Sequence, residues 1–350
     1  MEMKLGIIGF GGMAHWHFNN APKAGVKIVA AYDIDPERLT EARKLGLKAY
    51  DKLEDFLSDG EINFVLVATP NQVHRELAIA AMRAGKHVMV EKPAALSVAE
   101  WDEMTRVSRE TNRILTVHQN RRWDKDYRTM RAVAGSGALG KVYSIESRVF
   151  GTGGALFGWR AFKQFGGGMV LDWGVHLVDQ LLDMYPDRKV KSVHAKLMTL
   201  LGPEVDDYDK ITLALEDGPV LQVEIGTYAF RSLPRWFVIG DGGTLKIEDF
   251  GCTEGGYTKP RHTDVPVAPV VVMTAAGPTR MMAPRPPETK EDFPLPAVQS
   301  DWTELYKNLV DVMNGKAELI VTPASVRRVL QALEAIFRSA EVGRSVEVDI

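Results

Sequence analysis

The chain has 350 residues, with 43 Lys and Arg against 46 Asp and Glu, giving a net charge of -3. That length suits two domains, and the balanced charge argues against a nucleic-acid binder, which would carry a basic face. A single cysteine, Cys252, rules out intrachain disulfides and cysteine-rich metal sites, and no apolar run approaches the ~20 residues of a membrane span.

The N-terminal residues 1–4 run straight into a strand and leave no room for a signal peptide, so the reading is cytoplasmic. Leu5 to Ile8 is a short buried strand. Gly9-Phe10-Gly11-Gly12-Met13-Ala14 follows and matches the G-x-G-x-x-G/A dinucleotide fingerprint. Gly9 allows the tight turn, Gly11 lets backbone approach a pyrophosphate, and Ala14 permits close packing of helix on strand. The helix that begins there offers free N–H groups to phosphates. Val26 to Tyr32 is a second strand, and Asp33 falls 19 residues after Ala14, where the ribose-binding acid is expected. Ile34 adds no positive charge, which favours NAD over NADP.

The alternation continues with a strand at Phe64 to Ala68, the loop Thr69-Pro70-Asn71 and a helix from Gln72 to Ala84 that stops at Gly85. His87 to Val90 is the next strand. Ser97 caps a helix to about Asn112, and Ile114 to Val117 is a further strand. Strands and helices at this spacing predict a doubly wound parallel sheet. Asn71, Lys92 and His118 to Arg122 then share one rim, outside the carboxyl ends of the strands, where such sheets bind ligands. Lys92 precedes Pro93, which biases it to extended backbone and fixes where its side chain points.

From about residue 121 the pattern changes. Val142 to Phe150 is a long strand. Ile211, Leu213 and Leu215, then Leu221, Val223 and Ile225, alternate with polar residues as in a half-buried antiparallel sheet, joined by an Asp217-Gly218 turn. Phe237 to Ile239 and Leu245 to Ile247 form another hairpin. Such a sheet has one open apolar face that cannot be left in water, which predicts a homo-oligomer, dimer or tetramer, joined through the second domain. Half of the 18 prolines fall between Pro260 and Pro296, so residues 253–297 are expected to be an extended excursion with little regular structure, its Met281 and Met282 covering a sheet edge or a partner. Helices are expected at Asp301 to Met313 and Pro323 to Ala340.

One segment of the second half carries chemistry. Gly166-Gly167-Gly168 leads into an apparent helix on which Asp172 and His176, four apart, share a face. His176 is a candidate proton acceptor that Asp172 would orient. The same spacing also suits a surface pair or a histidine satisfied in a core. Gly174 between them costs helix stability, roughly 1 kcal/mol against alanine, which suggests a close approach to the backbone. No cysteine or second histidine stands at ligand spacing to His176, so no metal is expected.

Together these segments resemble the Gfo/Idh/MocA family of NAD(P)-dependent oxidoreductases, which includes glucose–fructose oxidoreductase and inositol dehydrogenases. The resemblance spans nearly the whole chain. It rests on the fingerprint, Ala68-Thr69-Pro70-Asn71 with His74, Ala84 to Val88, Glu91-Lys92-Pro93, and Gly166 to Gly168 leading into Asp172-x-Gly174-x-His176. It implies a Rossmann domain, here residues 1–120, and an α/β domain with an open, mostly antiparallel sheet used for oligomer contacts, here 121–350. It also implies a Lys92–Pro93 peptide that is commonly cis, and catalytic roles for Lys92, Asp172 and His176.

NAD is then expected to touch Gly9, Phe10, Gly11, Gly12 and Met13, Asp33 and Ile34, Thr69, Pro70, Asn71 and His74, Glu91 and Lys92, and Gln119. Substrate is expected at Lys92, Asn120, Arg122, Trp159, Arg160, Asp172 and His176. Trp16, Trp123, Trp159 and Trp173 are candidates to stack on a sugar ring. The implied reaction is NAD-dependent oxidation of a secondary hydroxyl on a sugar, glycoside or cyclitol to a ketone. His176 is the expected base, held by Asp172, with Lys92 stabilising the alkoxide; the reverse assignment of Lys92 and His176 stays open. Two alternatives are an oxidative glycosidase acting through a 3-keto intermediate and a non-catalytic NAD-binding regulator.

Overall fold

A computed structural model describes residues 1–262, 270–281 and 286–350. The first half builds β1 (Lys4–Ile8), β2 (Lys27–Tyr32), β3 (Lys48–Tyr50), β4 (Phe64–Val67), β5 (His87–Val90) and β6 (Leu115–Val117). They form a six-stranded sheet in the order β3-β2-β1-β4-β5-β6, every pair parallel. This is the doubly wound dinucleotide-binding order. Helices α1 (Gly12–Asn20), α2 (Pro36–Lys44), α3 (Leu53–Ser58), α4 (His74–Arg83) and α5 (Val98–Thr111) cover the sheet. Phe64 to Val67 are wholly buried, which is why these strands read as unbroken apolar runs. Ser97 caps α5 by accepting the Glu100 N–H, and Asn112 ends it in the left-handed conformation at φ 51°.

The second half contains α6 (Lys125–Gly135), β7 (Val142–Phe150), α7 (Val175–Asp183), β8 (Val190–Met198), β9 (Tyr208–Leu215), β10 (Val220–Gly226), β11 (Trp236–Gly240), β12 (Gly243–Ile247), β13 (Gly255–Pro260), β14 (Val270–Thr274), β15 (Gly277–Met281), β16 (Lys290–Pro294), α8 (Glu304–Met313), α9 (Pro323–Val342) and β17 (Val346–Glu347). Its nine-stranded sheet runs β16-β13-β12-β11-β7-β10-β9-β8-β17 and is antiparallel except between β7 and β10. Helices α6, α7 and α9 pack on its inner face.

Three expectations need correction. The proline-rich stretch is not irregular where it is described: β13 and β16 pair with each other, and β14 and β15 make a separate hairpin. Pro260 and Pro294 sit at strand ends and β16 is an edge, where a missing N–H disturbs no ladder. Met281 ends β15, whereas Met282 lies outside the described residues. The open face of the large sheet is mixed rather than apolar. Phe237 and Ile239 share it with Glu146, Arg148, Lys210 and Glu224, and Arg148 pairs with Glu146 and Glu224. Finally, the chain after residue 301 is not confined to the second half. Tyr306 meets His17, the Trp101 indole donates to Pro323 O, and Thr116 donates to Val321 O, so α8 and α9 also pack on the first domain.

Candidate active site

The cleft lies at the carboxyl ends of β1, β2, β4 and β5, where the fold places ligand sites. Gly9 holds φ +88°, and a Cβ there would meet Ala68 O at 2.8 Å, so glycine is required. Cβ atoms at Gly11 or Gly12 would meet nothing within 4 Å; both glycines line the open cleft. No side chain caps α1, which leaves its first N–H groups for a ligand. Asp33 braces this loop: one carboxylate oxygen accepts the Phe10 N–H at 2.6 Å and the other the Asp35 N–H at 2.9 Å.

Of the expected cofactor residues, Gly9, Gly11, Gly12, Met13, Asp33, Ile34, Thr69, Pro70, Asn71, Glu91 and Lys92 line one cleft of about 880 Å³. The structure puts three others behind its wall. Phe10 is a core ring. His74 is fully buried and hydrogen-bonded to Thr69 O and Pro93 O, each at 2.9 Å, so it ties two rim loops together. Gln119 is buried, with Oε1 unpartnered.

From the second domain Trp159, Arg160, the Gly166 to Gly168 turn and Asp172 complete the cleft. The Lys92–Pro93 peptide is cis. Lys92 Nζ donates to Asp172 Oδ1 at 2.7 Å and to Asp172 O at 2.8 Å, while Arg160 Nε lies 3.4 Å from the same Oδ1. Burial pushes the Asp172 carboxyl up, but the Lys92 and Arg160 charges more than offset this and hold it below its ordinary value.

Asp172 does not hold His176. Residues Val170 to Gly174 form a π-helical turn before α7, and the wider turn breaks the i, i+4 alignment on which that pairing depends. His176 is buried, and its Nδ1 has no partner. Burial, then the charges of Lys92 and Arg121, hold its imidazole well below the usual range, so the ring is neutral.

The substrate-side residues divide. Arg122 is buried and bidentate on Asp179 at 2.8 and 2.6 Å, with a third bond to Asp183 at 2.8 Å, so it is a structural ion-pair centre and not a ligand contact. Asn120 sits in a short 3₁₀ turn outside the cleft lining. Trp123 is a core residue. The Arg160 guanidinium lies 4.5 Å over the Trp159 ring, and Arg121 lies 4.1 Å over Trp173. Sequence reasoning missed Arg38, which shares the cleft wall with Asp33 and pairs with Glu41. Its position on the outer turn of α2 gave no motif to find it by.

The family model for the NAD-binding Rossmann fold of the oxidoreductase family matches residues 3–119, and that for the GFO/IDH/MocA C-terminal domain matches residues 127–246. Among curated proteins, an uncharacterized oxidoreductase of Schizosaccharomyces pombe is 31% identical over 60% of this chain and 59% of its own length. The scyllo-inositol 2-dehydrogenase (NADP(+)) of Bacillus subtilis is 26% identical over 85% of this chain and 82% of its own. Among solved structures, an NAD-binding protein from Listeria innocua is 40% identical with a TM-score of 0.92, covering 99% of both chains. With both halves of the molecule matched, the chain belongs to the Gfo/Idh/MocA family of oxidoreductases.

Proposed function

We propose that this protein is an NAD-dependent dehydrogenase that oxidises a secondary hydroxyl of a sugar, glycoside or cyclitol to a ketone. The observation that carries the reading is the Lys92–Asp172 ion pair, which joins the two domains across the wall of the nucleotide cleft. The glycine turn, Asp33 and the Thr69 to Asn71 loop suit NAD. When bound, the nicotinamide supplies the hydride acceptor, while the protein positions the substrate and manages its proton. Lys92 has mobile ammonium donors that can turn from Asp172 toward a substrate oxygen and stabilise its developing charge. His176, kept neutral by burial and by the charges of Lys92 and Arg121, is in the form a base needs.

A polyhydroxylated substrate is supported by the similarity to an inositol dehydrogenase. NAD is preferred because an Asp33 carboxylate suits ribose hydroxyls and repels a 2′-phosphate. Arg38, on the same wall, softens that preference.

The test is NADH absorbance across inositols, sugars and glycosides, run in parallel with NADP⁺. Turnover with at least one ring alcohol, faster with NAD⁺, supports the proposal. No turnover with any of them refutes it, and aglycone release without net NADH assigns the cleft to oxidative glycoside cleavage instead.

A further inference from the structure

The π turn from Val170 to Gly174 brings Asp172 to Lys92. Such turns are rare and cluster at functional sites, so what holds this one in place matters. Asp206 pins its first residue by accepting the Val170 N–H. Farther along the turn stands Trp173, and three side chains meet its ring. The Arg121 guanidinium lies 4.1 Å from the ring centroid. Phe250, from the turn after β12, lies 5.8 Å away at a 47° tilt. His176 meets the indole nearly edge-on at 6.2 Å.

Arg121 stands in the 3₁₀ turn Asn120–Trp123 that follows β6, so its guanidinium reaches from the rim of the nucleotide-binding sheet to the turn before α7. It is held at both ends. Nη1 donates to Asp124 Oδ2 at 2.8 Å, and Asp124 Oδ1 accepts the Trp302 indole N–H at 2.8 Å. The Arg121 carbonyl accepts from Gln180 Nε2 of α7 at 2.6 Å, and Gln180 Oε1 accepts from the buried Arg235 at 3.0 Å. Arg121 is not among the residues that line the cleft, so these protein partners define its role. Pairing with Asp124 occupies the edge of the guanidinium and leaves its flat face for the indole. An ammonium in the same place would be a point charge on a flexible stem and would not cover the ring.

Trp173 directly follows Asp172 in the chain. Asp172 offers Lys92 two acceptors, its Oδ1 at 2.7 Å and its backbone O at 2.8 Å. A side-chain oxygen can follow Lys92 by changing rotamer, but a carbonyl moves only with the turn. Fixing the indole therefore fixes the acceptor that cannot adjust. The same indole lies against His176, whose imidazole is kept neutral by burial, by the charge of Lys92 and then by that of Arg121.

We propose that Arg121 is a positioning residue for the reaction: stacked on Trp173 and tied to Asp124, it locks the π turn so that Asp172 holds the Lys92 ammonium and Trp173 backs the His176 ring. The inference rests on the dehydrogenase reading for its effect on turnover. Arg121 acts through Lys92 and His176 and itself touches neither substrate nor cofactor. A brace that served folding alone would change the melting temperature and leave the kcat of the folded protein unchanged. A clamp changes kcat and leaves NAD⁺ affinity as it was.

The test pairs hydrogen exchange, read by mass spectrometry, with steady-state kinetics on the full-length protein. In Arg121→Gln the amides of residues 169–174 should exchange faster while those of α4 do not change. The same variant should keep its NAD⁺ affinity and lose about 10²-fold in kcat, the size of effect that a misplacement of about 1 Å can cause. Arg121→Lys keeps the charge and can still reach Asp124 but loses the flat stack, so it should recover little of the loss. Arg121→Gln combined with Trp173→Leu should be hardly worse than the worse single, because both break one contact. Unchanged exchange in the turn, unchanged kcat, full recovery in Arg121→Lys, or additive losses in the double variant would each overturn the proposal. If Arg121→Gln fails to fold, Trp173→Leu removes the same contact from the other side and carries the same readouts. If the wild type oxidises no alcohol, the dehydrogenase reading falls, and the exchange result by itself decides whether Arg121 holds the turn.

Discussion

At the scale of single residues, the site separates groups that act from groups that hold. On the proposed function, Lys92 and His176 belong to the first class. Lys92→Ala and His176→Ala are each expected to lower kcat by about 10²–10⁴-fold with little change in NAD⁺ affinity, read by steady-state kinetics and cofactor titration. The double variant should be hardly worse than the worse single, because the two serve one proton transfer. Arg122 belongs to the second class. Arg122→Ala strands the buried carboxylate of Asp179 and takes one partner from Asp183, which keeps Tyr127 and Arg131, and should cost about 3–5 kcal/mol in urea unfolding while leaving the KM of the folded fraction unchanged. A raised KM without loss of stability would put Arg122 back among the substrate contacts. Lys92 and Arg122 show what sequence can and cannot resolve here. Lys92 was legible because its strand, its proline and its rim are all local. Arg122 looked equally well placed, but its partners Asp179 and Asp183 lie on α7, 57 and 61 residues away.

At the scale of elements, the turn that introduces α7 depends on a glycine and on one buried carboxylate. Gly168 holds φ +102°, and a Cβ there would lie 2.3 Å from Asp206 Oδ1. Asp206 in turn accepts the Val170 N–H at 2.7 Å, pinning the start of the π turn that carries Asp172. Beside it Asp209 is buried, and burial together with the Asp206 charge pushes its carboxyl up to about 10. The unfolded chain ionises Asp209 near the ordinary value of 3.8, whereas the folded one keeps the proton to about 10. The stability this proton contributes is therefore complete below about pH 4 and is lost as pH rises toward 10. Asp209→Asn cannot ionise, so its melting temperature should exceed that of the wild type at pH 8–9, with the gap closing near pH 4. An equal gap at both ends would show that the proton is not retained. The helix around Asp172 and His176 was visible in the sequence as a glycine triplet running into an apolar pattern. Its π turn was not, because one extra residue per turn leaves no mark in a pattern that short. The three-residue β3 escaped notice for the same reason. The strands β13 and β16 were hidden by prolines whose edge positions are set by tertiary pairing.

For the whole molecule, the open face of the nine-stranded sheet is where assembly is expected. Its mixture of Phe237 and Ile239 with the Glu146, Arg148 and Glu224 ion pairs does not force burial as an apolar sheet would. We still expect a dimer or tetramer through this face, and expect it to loosen in high salt, since salt screens attraction between charged groups of facing subunits. Light scattering at low and high ionic strength checks this, and a monomer at micromolar concentration in low salt would refute it. The two-domain plan was readable from the change of period near residue 121. The return of α8 and α9 onto the first domain was not, because helical periodicity says which face is buried but not against what. That return sets Tyr306 against His17 of α1 and Val321 against Thr116 of β6, so the C-terminal segment braces the nucleotide-binding domain.

The central claim is that the cleft passes hydride from a ring carbon to nicotinamide. The most direct measurement uses an active cyclitol or sugar deuterated at the oxidised carbon, with mass analysis of the recovered cofactor. The account predicts one deuterium per reduced cofactor with the wild type, a slowed rate relative to the protiated substrate, and almost none formed by Lys92→Ala. Reduced cofactor without deuterium, or full transfer by Lys92→Ala, would contradict it.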